Sequence, residues 1–226
     1  MAVTCKDPNF IFIHIPKTGG RFLTRLLKEN VPRDRFWRRT RPRWFRHGLY
    51  MHATLGEMVQ DTRIREAYGG HFDEVDAACV VRNPWSRIWS EYKFAIDSAQ
   101  ERIESRRKGL PVKPGTTAEK DRAIVENGLA LGFSRWLLEV GPTLERIMIP
   151  QCAYLDTDVP IRSRRFIRFE TFVDDLAANP LPVKLVGFEK FNQRASRDYA
   201  KHYDEKAYEF VRHHSRRDIE ELGYEF

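Results

Sequence analysis

Residues Phe10 to Ile15, Phe-Ile-Phe-Ile-His-Ile, form a nearly continuous run of aromatic and β-branched residues that stops on Pro16-Lys17-Thr18-Gly19-Gly20. A run without polar alternation suits a strand covered on both faces, the condition inside a parallel sheet. It is too short for a membrane span. Directly after the glycines, Phe22, Leu23, Leu26 and Leu27 recur at helical spacing up to Asn30. The order is buried strand, glycine turn, helix. Val75 to Val81 reads as a second buried strand. It closes on Arg82-Asn83-Pro84, with Asn83 placed as N-cap and Pro84 as the first residue of a helix carrying Trp85, Ile88, Trp89 and Tyr92. Between them a helix begins at Thr54, because Thr54-Leu-Gly-Glu57 has the form of a capping box, and Met58, Ile64 and Ala67 give it an apolar face. His52 stands just outside its first turn. Leu129 to Val140 reads as helix, Phe166 to Phe169 as strand, and Asp204 to Leu222 as a closing amphipathic helix. Strands alternating with helices predict an α/β layer fold with a central parallel sheet flanked by helices.

A length of 226 residues favours one domain over 1–226, and 42% hydrophobic with 12% aromatic residues supplies a core and excludes disordered classes. Cys5, Cys79 and Cys152 are too scattered for a disulfide framework, and no Cys or His spacing points to zinc. The expectation is a reducing, cytoplasmic setting with no membrane segment and no metal. The net charge of +7 is concentrated: seven arginines against Asp34 give Arg33 to His47 a charge of +6. Phe36, Trp37, Trp44 and Phe45 interleave them. The stretch 33–50 is read as an arginine-rich loop that either faces an anionic ligand or lies in solvent. Glu101 to Arg122, rich in charge and holding Gly109, Pro111, Pro114 and Gly115, is read as a charged mobile loop, 101–122.

A glycine turn between a buried strand and a helix presents backbone N–H groups and the positive end of the helix dipole, which favour a phosphate-like anion. Lys17 adds a full charge. Nucleotide-kinase loops need Gly-x-x-x-x-Gly-Lys-Ser/Thr, whereas here the lysine precedes the glycines and no hydroxyl follows as a magnesium ligand. Gly19-Gly20 alone could simply turn the chain. Arg82, at the end of the second strand, with Ser90 eight residues on, forms a second candidate anion clamp. Ligands of open α/β sheets sit outside the carboxyl ends of the strands, where Lys17 and Arg82 both fall. Two clamps there imply a nucleotide phosphorylated at two positions.

Taken together, His14-Ile-Pro-Lys-Thr-Gly-Gly20, His52-Ala-Thr-Leu-Gly-Glu57, Val81-Arg-Asn-Pro-Trp-Ser-Arg-Ile-Trp-Ser-Glu-Tyr92, Arg168-Phe-Glu170 and Gly223-Tyr-Glu-Phe226 resemble the sulfotransferases that use 3'-phosphoadenosine 5'-phosphosulfate (PAPS). The resemblance is to the carbohydrate-type, bacterial-like family, sulfotransferase family 2-like and related to heparan 2-O-sulfotransferases. It implies a P-loop-like domain. It also implies that Lys17, Thr18, Gly19 and Gly20 grip the 5'-phosphosulfate while Arg82 and Ser90 hold the 3'-phosphate. Where that family commonly has threonine after the glycines this chain has Arg21, which either replaces the lost hydroxyl with a charged contact or points to solvent from the first helical turn; the contact is the expectation.

In-line transfer of a sulfuryl group to a hydroxyl needs a base for the hydroxyl proton and a cation for charge growing on the leaving phosphate oxygen. Lys17 suits the second role. His52 suits the first, since a neutral imidazole accepts a proton near pH 7. His14 is read as a packed structural residue, and His71, His202, His213 and His214 have no motif support. The acceptor is expected to be a glycan or another hydroxyl-bearing small molecule, an anionic one if the arginine-rich segment contacts it. A kinase-like nucleotide-phosphate enzyme is the alternative. A nucleic-acid-binding module is the weaker rival, because no recognised nucleic-acid fold signature accompanies the arginines.

Overall fold

The computed structural model describes residues 2–32, 52–112, 116–191 and 197–226. The arginine-rich segment 33–50 therefore lies outside the described residues. In chain order the elements are β1 (Val3–Lys6), β2 (Asn9–Ile13), α1 (Gly20–Asn30), α2 (Leu55–Gln60), α3 (Thr62–Ala67), β3 (Asp76–Val81), α4 (Pro84–Arg107), α5 (Ala118–Glu139), α6 (Glu145–Met148), β4 (Ser163–Arg168), α7 (Phe172–Ala178), α8 (Glu205–His214) and α9 (Arg216–Leu222). Short 3-10 turns join several of them. The chain divides into two compact units, Met1–Asn83 with Ile149–Ala195 and Pro84–Met148 with Ser196–Phe226.

The first unit holds a four-stranded sheet in the order β1-β2-β3-β4. β2 runs parallel to β3, with Phe10 opposite Asp76 and Ile13 opposite Cys79, and β3 runs parallel to β4, with Val81 opposite Arg168. β1 adds an antiparallel edge to β2. Every residue from Phe10 to Ile13 and from Ala77 to Val81 is buried, so both faces of the central strands are covered and the fold is α/β. Alternate residues Phe10, Phe12, Ala78 and Val80 share a core with Leu23 and Leu27 of α1 and Phe172 and Leu176 of α7. The four-residue β1 escaped the sequence reading because Val3-Thr-Cys-Lys6 is too short to show a period. β4 was only half visible, since its arginines, Arg164 and Arg165, interrupt the apolar signal.

Thr54 caps α2 with the full reciprocal capping box, its hydroxyl accepting from the Glu57 N–H and the Glu57 carboxylate from the Thr54 N–H. The helix expected to continue through Ala67 breaks at Asp61, whose side chain caps α3 by accepting from the Arg63 N–H.

The second unit is helical and its core is largely aromatic: Trp85, Tyr92, Phe133, Trp136 and Tyr199 pack with Ile88, Ile96, Leu137 and Val211. Pro84 is the first helical residue of α4, at its expected place. The charged loop expected over 101–122 is corrected: α4 continues through Arg107 and α5 already starts at Ala118. Arg102 and Arg106, four apart on one helix face, both pair with Asp121, whose side chain is fully buried. The Arg102 hydrogen bond above all, joined by Arg106, holds the Asp121 carboxyl below the usual carboxylate range. The charges that looked like a loop signal are a helix-to-helix clamp. α5 breaks at Gly132, whose φ of 67° and ψ of 173° are not helical, and the closing helix divides at Ser215 into α8 and α9.

Candidate functional site

Past Ile13 the chain leaves the sheet through His14, Ile15 and Pro16 into a pinned turn. Lys17 sits at φ 65°, a left-handed conformation for a residue with a side chain, which costs about 1–2 kcal/mol. Gly19, at φ 79°, caps α1. Thr18 is fully buried, and its hydroxyl donates to the Ile15 carbonyl at 3.1 Å. A Cβ on Gly20 would stand 2.8 Å from Cδ2 of His14, so only glycine lets α1 start against that ring. The N-terminus of α1 carries no side-chain cap hydrogen bond and no acidic residue in its first turn. The Phe22 N–H turns back to the Gly19 carbonyl at 3.0 Å, and the N–H groups ahead of it are those the helix start offers an outside acceptor. Arg21 is exposed on the first turn of α1.

At the end of the neighbouring strand, Arg82 is partly buried and its Nη1 donates to the Lys17 carbonyl at 3.3 Å. Its Cζ lies 4.4 Å from the centroid of the Phe169 ring, a cation–π placement. The Arg82 N–H donates to Oε1 of Gln151 and its carbonyl accepts from Nε2 of Gln151, both at 2.8 Å. The next N–H, that of Asn83, donates to Glu170 Oε1 at 2.8 Å.

His52 is held by its Nδ1, 3.0 Å from the His14 carbonyl. A carbonyl can only accept, so Nδ1 carries the hydrogen and Nε2 the lone pair of the neutral ring. The rings of His14 and His52 meet edge to face, centroids 5.2 Å apart. Burial foremost, with positive charge nearby that includes Arg21 and Lys28, pushes His14 down to about 2. His14 therefore stays neutral at any ordinary pH.

Lys17, Thr18, Gly19, Gly20, His52 and Arg82 all belong to the sheet unit, and the bonds from Arg82 to Lys17 and from His52 to His14 join them. Ser90 lies on α4 of the helical unit, partly buried. Sequence reasoning missed Gln151, which carried no motif signal, and the link from His14 to His52. Phe169 and Glu170 stood in the quoted Arg168-Phe-Glu170, but without a role. Among the described residues no group of three or more His, Cys, Asp and Glu is placed to hold a metal ion, and no helix is long and apolar enough to cross a membrane.

No curated protein and no solved structure matches the chain. The sequence profile described as the sulfotransferase family matches residues 1–221, which include the glycine turn, His52, Arg82 and Glu170. That assignment sets the kinase-like alternative aside. The chain belongs to the sulfotransferase family, enzymes that transfer a sulfuryl group to an acceptor.

Proposed function

We propose that the protein transfers the sulfuryl group of PAPS to a hydroxyl of a carbohydrate acceptor, without a metal ion. The observation that carries the reading is Arg82, whose guanidinium donates to the main-chain carbonyl of Lys17 at 3.3 Å, which brings two cationic residues together past the carboxyl ends of adjacent parallel strands. Beside them α1 begins with an uncapped N-terminus. Such a site suits a ligand with two separated phosphate groups, and PAPS supplies the sulfuryl group. The Lys17 ammonium meets charge growing on the bridging oxygen as the sulfur–oxygen bond to phosphate breaks. His52 takes the acceptor proton on Nε2 while the acceptor oxygen bonds to sulfur, and the His14 carbonyl keeps that tautomer in place. The Thr18 hydroxyl is engaged within the turn, so Thr18, Gly19 and Gly20 serve the 5'-phosphosulfate through backbone N–H groups. Arg82 takes the 3'-phosphate. Ser90 joins it on the strength of the sequence motif alone, and Arg21, which departs from that motif, joins the 5' side by its charge on the first turn of α1. Arg38, Arg39 and Arg41 are assigned to an anionic acceptor from charge alone.

The direct test is transfer of labelled sulfate from PAPS to a panel of glycans and small alcohols in the presence of EDTA, with mass spectrometry locating the modified hydroxyl. Metal-independent transfer to a sugar hydroxyl is expected. Transfer that stops when divalent metal is chelated, or that reaches no hydroxyl on the panel, overturns the reading.

A further inference from the structure

The pairing of β2 with β3 stops before Arg82, at Ile13 opposite Cys79. The Val81 carbonyl accepts from the Phe169 N–H at 2.7 Å, on the β4 side. Successive residues of a strand turn their backbone groups to alternate sides, so the N–H and carbonyl of Arg82 face the β2 side. There β2 makes its last pairing at Ile13, opposite Cys79, and the chain has already turned off toward Lys17. The primary amide of Gln151 takes the place of the departed strand, donating to the Arg82 carbonyl and accepting from its N–H. Gln151 has no exposed surface. Its own carbonyl accepts from the Tyr154 N–H at 3.1 Å, which seats it in the turn that starts the Cys152–Leu155 segment. Only a planar group with one donor and one acceptor side by side can serve both positions; a carboxylate has no hydrogen for the carbonyl, and an aliphatic chain has neither. With the backbone so held, the guanidinium rests on the Phe169 ring and against the Lys17 carbonyl.

We propose that Gln151 is the positioning residue for Arg82, and that by fixing where the guanidinium stands it sets the protein's preference for donors that bear a 3'-phosphate. The inference rests on the donor reading above. Gln151 touches no ligand. It acts by holding an arginine that would otherwise have to be ordered at the moment of binding, a cost that weakens any contact the arginine makes.

The experiment measures by calorimetry the affinities of adenosine 3',5'-bisphosphate and adenosine 5'-monophosphate for the wild-type chain, Arg82→Ala, Gln151→Ala, Gln151→Glu and the double variant Arg82→Ala with Gln151→Ala. The ratio of the two affinities is the readout, because loss of general stability moves both ligands together. The wild-type chain should prefer the bisphosphate, and Arg82→Ala should cut that preference roughly 10- to 100-fold. Gln151→Ala should cut it about 5- to 10-fold, with the monophosphate affinity within about twofold of wild type, and should add nothing in the Arg82→Ala background. Gln151→Glu keeps the size and the acceptor but sets an oxygen against the Arg82 carbonyl; it should behave like Gln151→Ala and stands in for it if the alanine variant does not fold. A wild-type chain with no preference, or an Arg82→Ala chain that keeps it, overturns the donor reading and this inference with it. A preference that vanishes in Arg82→Ala yet persists in both Gln151 variants overturns the inference alone.

Discussion

The two compact units satisfy their polar groups in different ways. In the sheet unit the recurring contact is a side chain from a distant segment bonded to a backbone group at a strand end: Gln151 to Arg82, Glu170 to Asn83, His52 to His14. In the helical unit intrahelical hydrogen bonds serve most of the backbone, a few side chains such as Tyr92 and Tyr203 reach the Gly128 and Trp85 carbonyls, and many further polar contacts are ion pairs on helix surfaces. Examples are Arg135 with Glu139, Arg216 with Glu220 and Arg217 with Glu221, all four residues apart and largely exposed, so solvent screening leaves each of them a weak contributor to stability. Its specificity lies in ring packing instead, as where Trp85 stacks on Tyr208 with centroids 5.5 Å apart and Trp89 on His202 at 3.9 Å. A parallel sheet must end its strands somewhere, and the backbone groups left there need either a side-chain partner or a ligand. Helices leave such groups only at their termini. The difference explains why the candidate chemistry gathers at the ends of β2 and β3.

That contrast can be broken at the chemistry first. His52→Ala should lower sulfuryl transfer about 10²- to 10⁴-fold, the usual effect of removing a general base, with nucleotide affinity and melting temperature nearly unchanged. Near-native turnover in a folded, nucleotide-binding His52→Ala protein would return His52 to a purely structural place beside the Thr54 cap.

The helical unit should respond in stability. Trp136 is 5% exposed and packs edge-on against Tyr92 at 5.1 Å, so Trp136→Ala should cost about 3–5 kcal/mol by denaturant unfolding. Loss of under about 1 kcal/mol would mean that the aromatic core does not carry this unit.

The smallest expected effect concerns the buried clamp on Asp121, and it carries a pH signature. Arg102 and Arg106 retain about a quarter of their side-chain exposure, 24% and 26%. Asp121→Asn should therefore cost about 2 kcal/mol at pH 7, less than a fully buried pair. The folded pKa of Asp121 lies below its unfolded value, so its contribution is present above the unfolded value near 4 and is lost as pH falls through the folded one. Thermal melts of the two proteins should converge below about pH 4. A constant difference from pH 7 to pH 2 would show that shape, not charge, makes the clamp.

Much of the sheet unit was legible in the sequence because its signals are local. Phe10 to Ile13 is buried because it is apolar on both faces, and the turn follows from Lys17-Thr-Gly-Gly20. Thr54 and Glu57 close a capping box at a separation of three, and Pro84 can begin a helix but not continue a strand. Each is decided within one short stretch of chain. The helix split at Asp61 and the loop misread over 101–122 mark the limit of that approach, since a charge reads alike in solvent or in a clamp. What only the tertiary structure decided are pairings between segments far apart. Gln151 meets Arg82 across 69 positions, His52 meets the His14 carbonyl across 38, and Arg102 meets Asp121 across 19. A lone glutamine, a flanking histidine and a charge in a charged run carry no period and no spacing. Their roles come from the backbone group or partner that folding brings within hydrogen-bond reach, and that is a property of the packed chain.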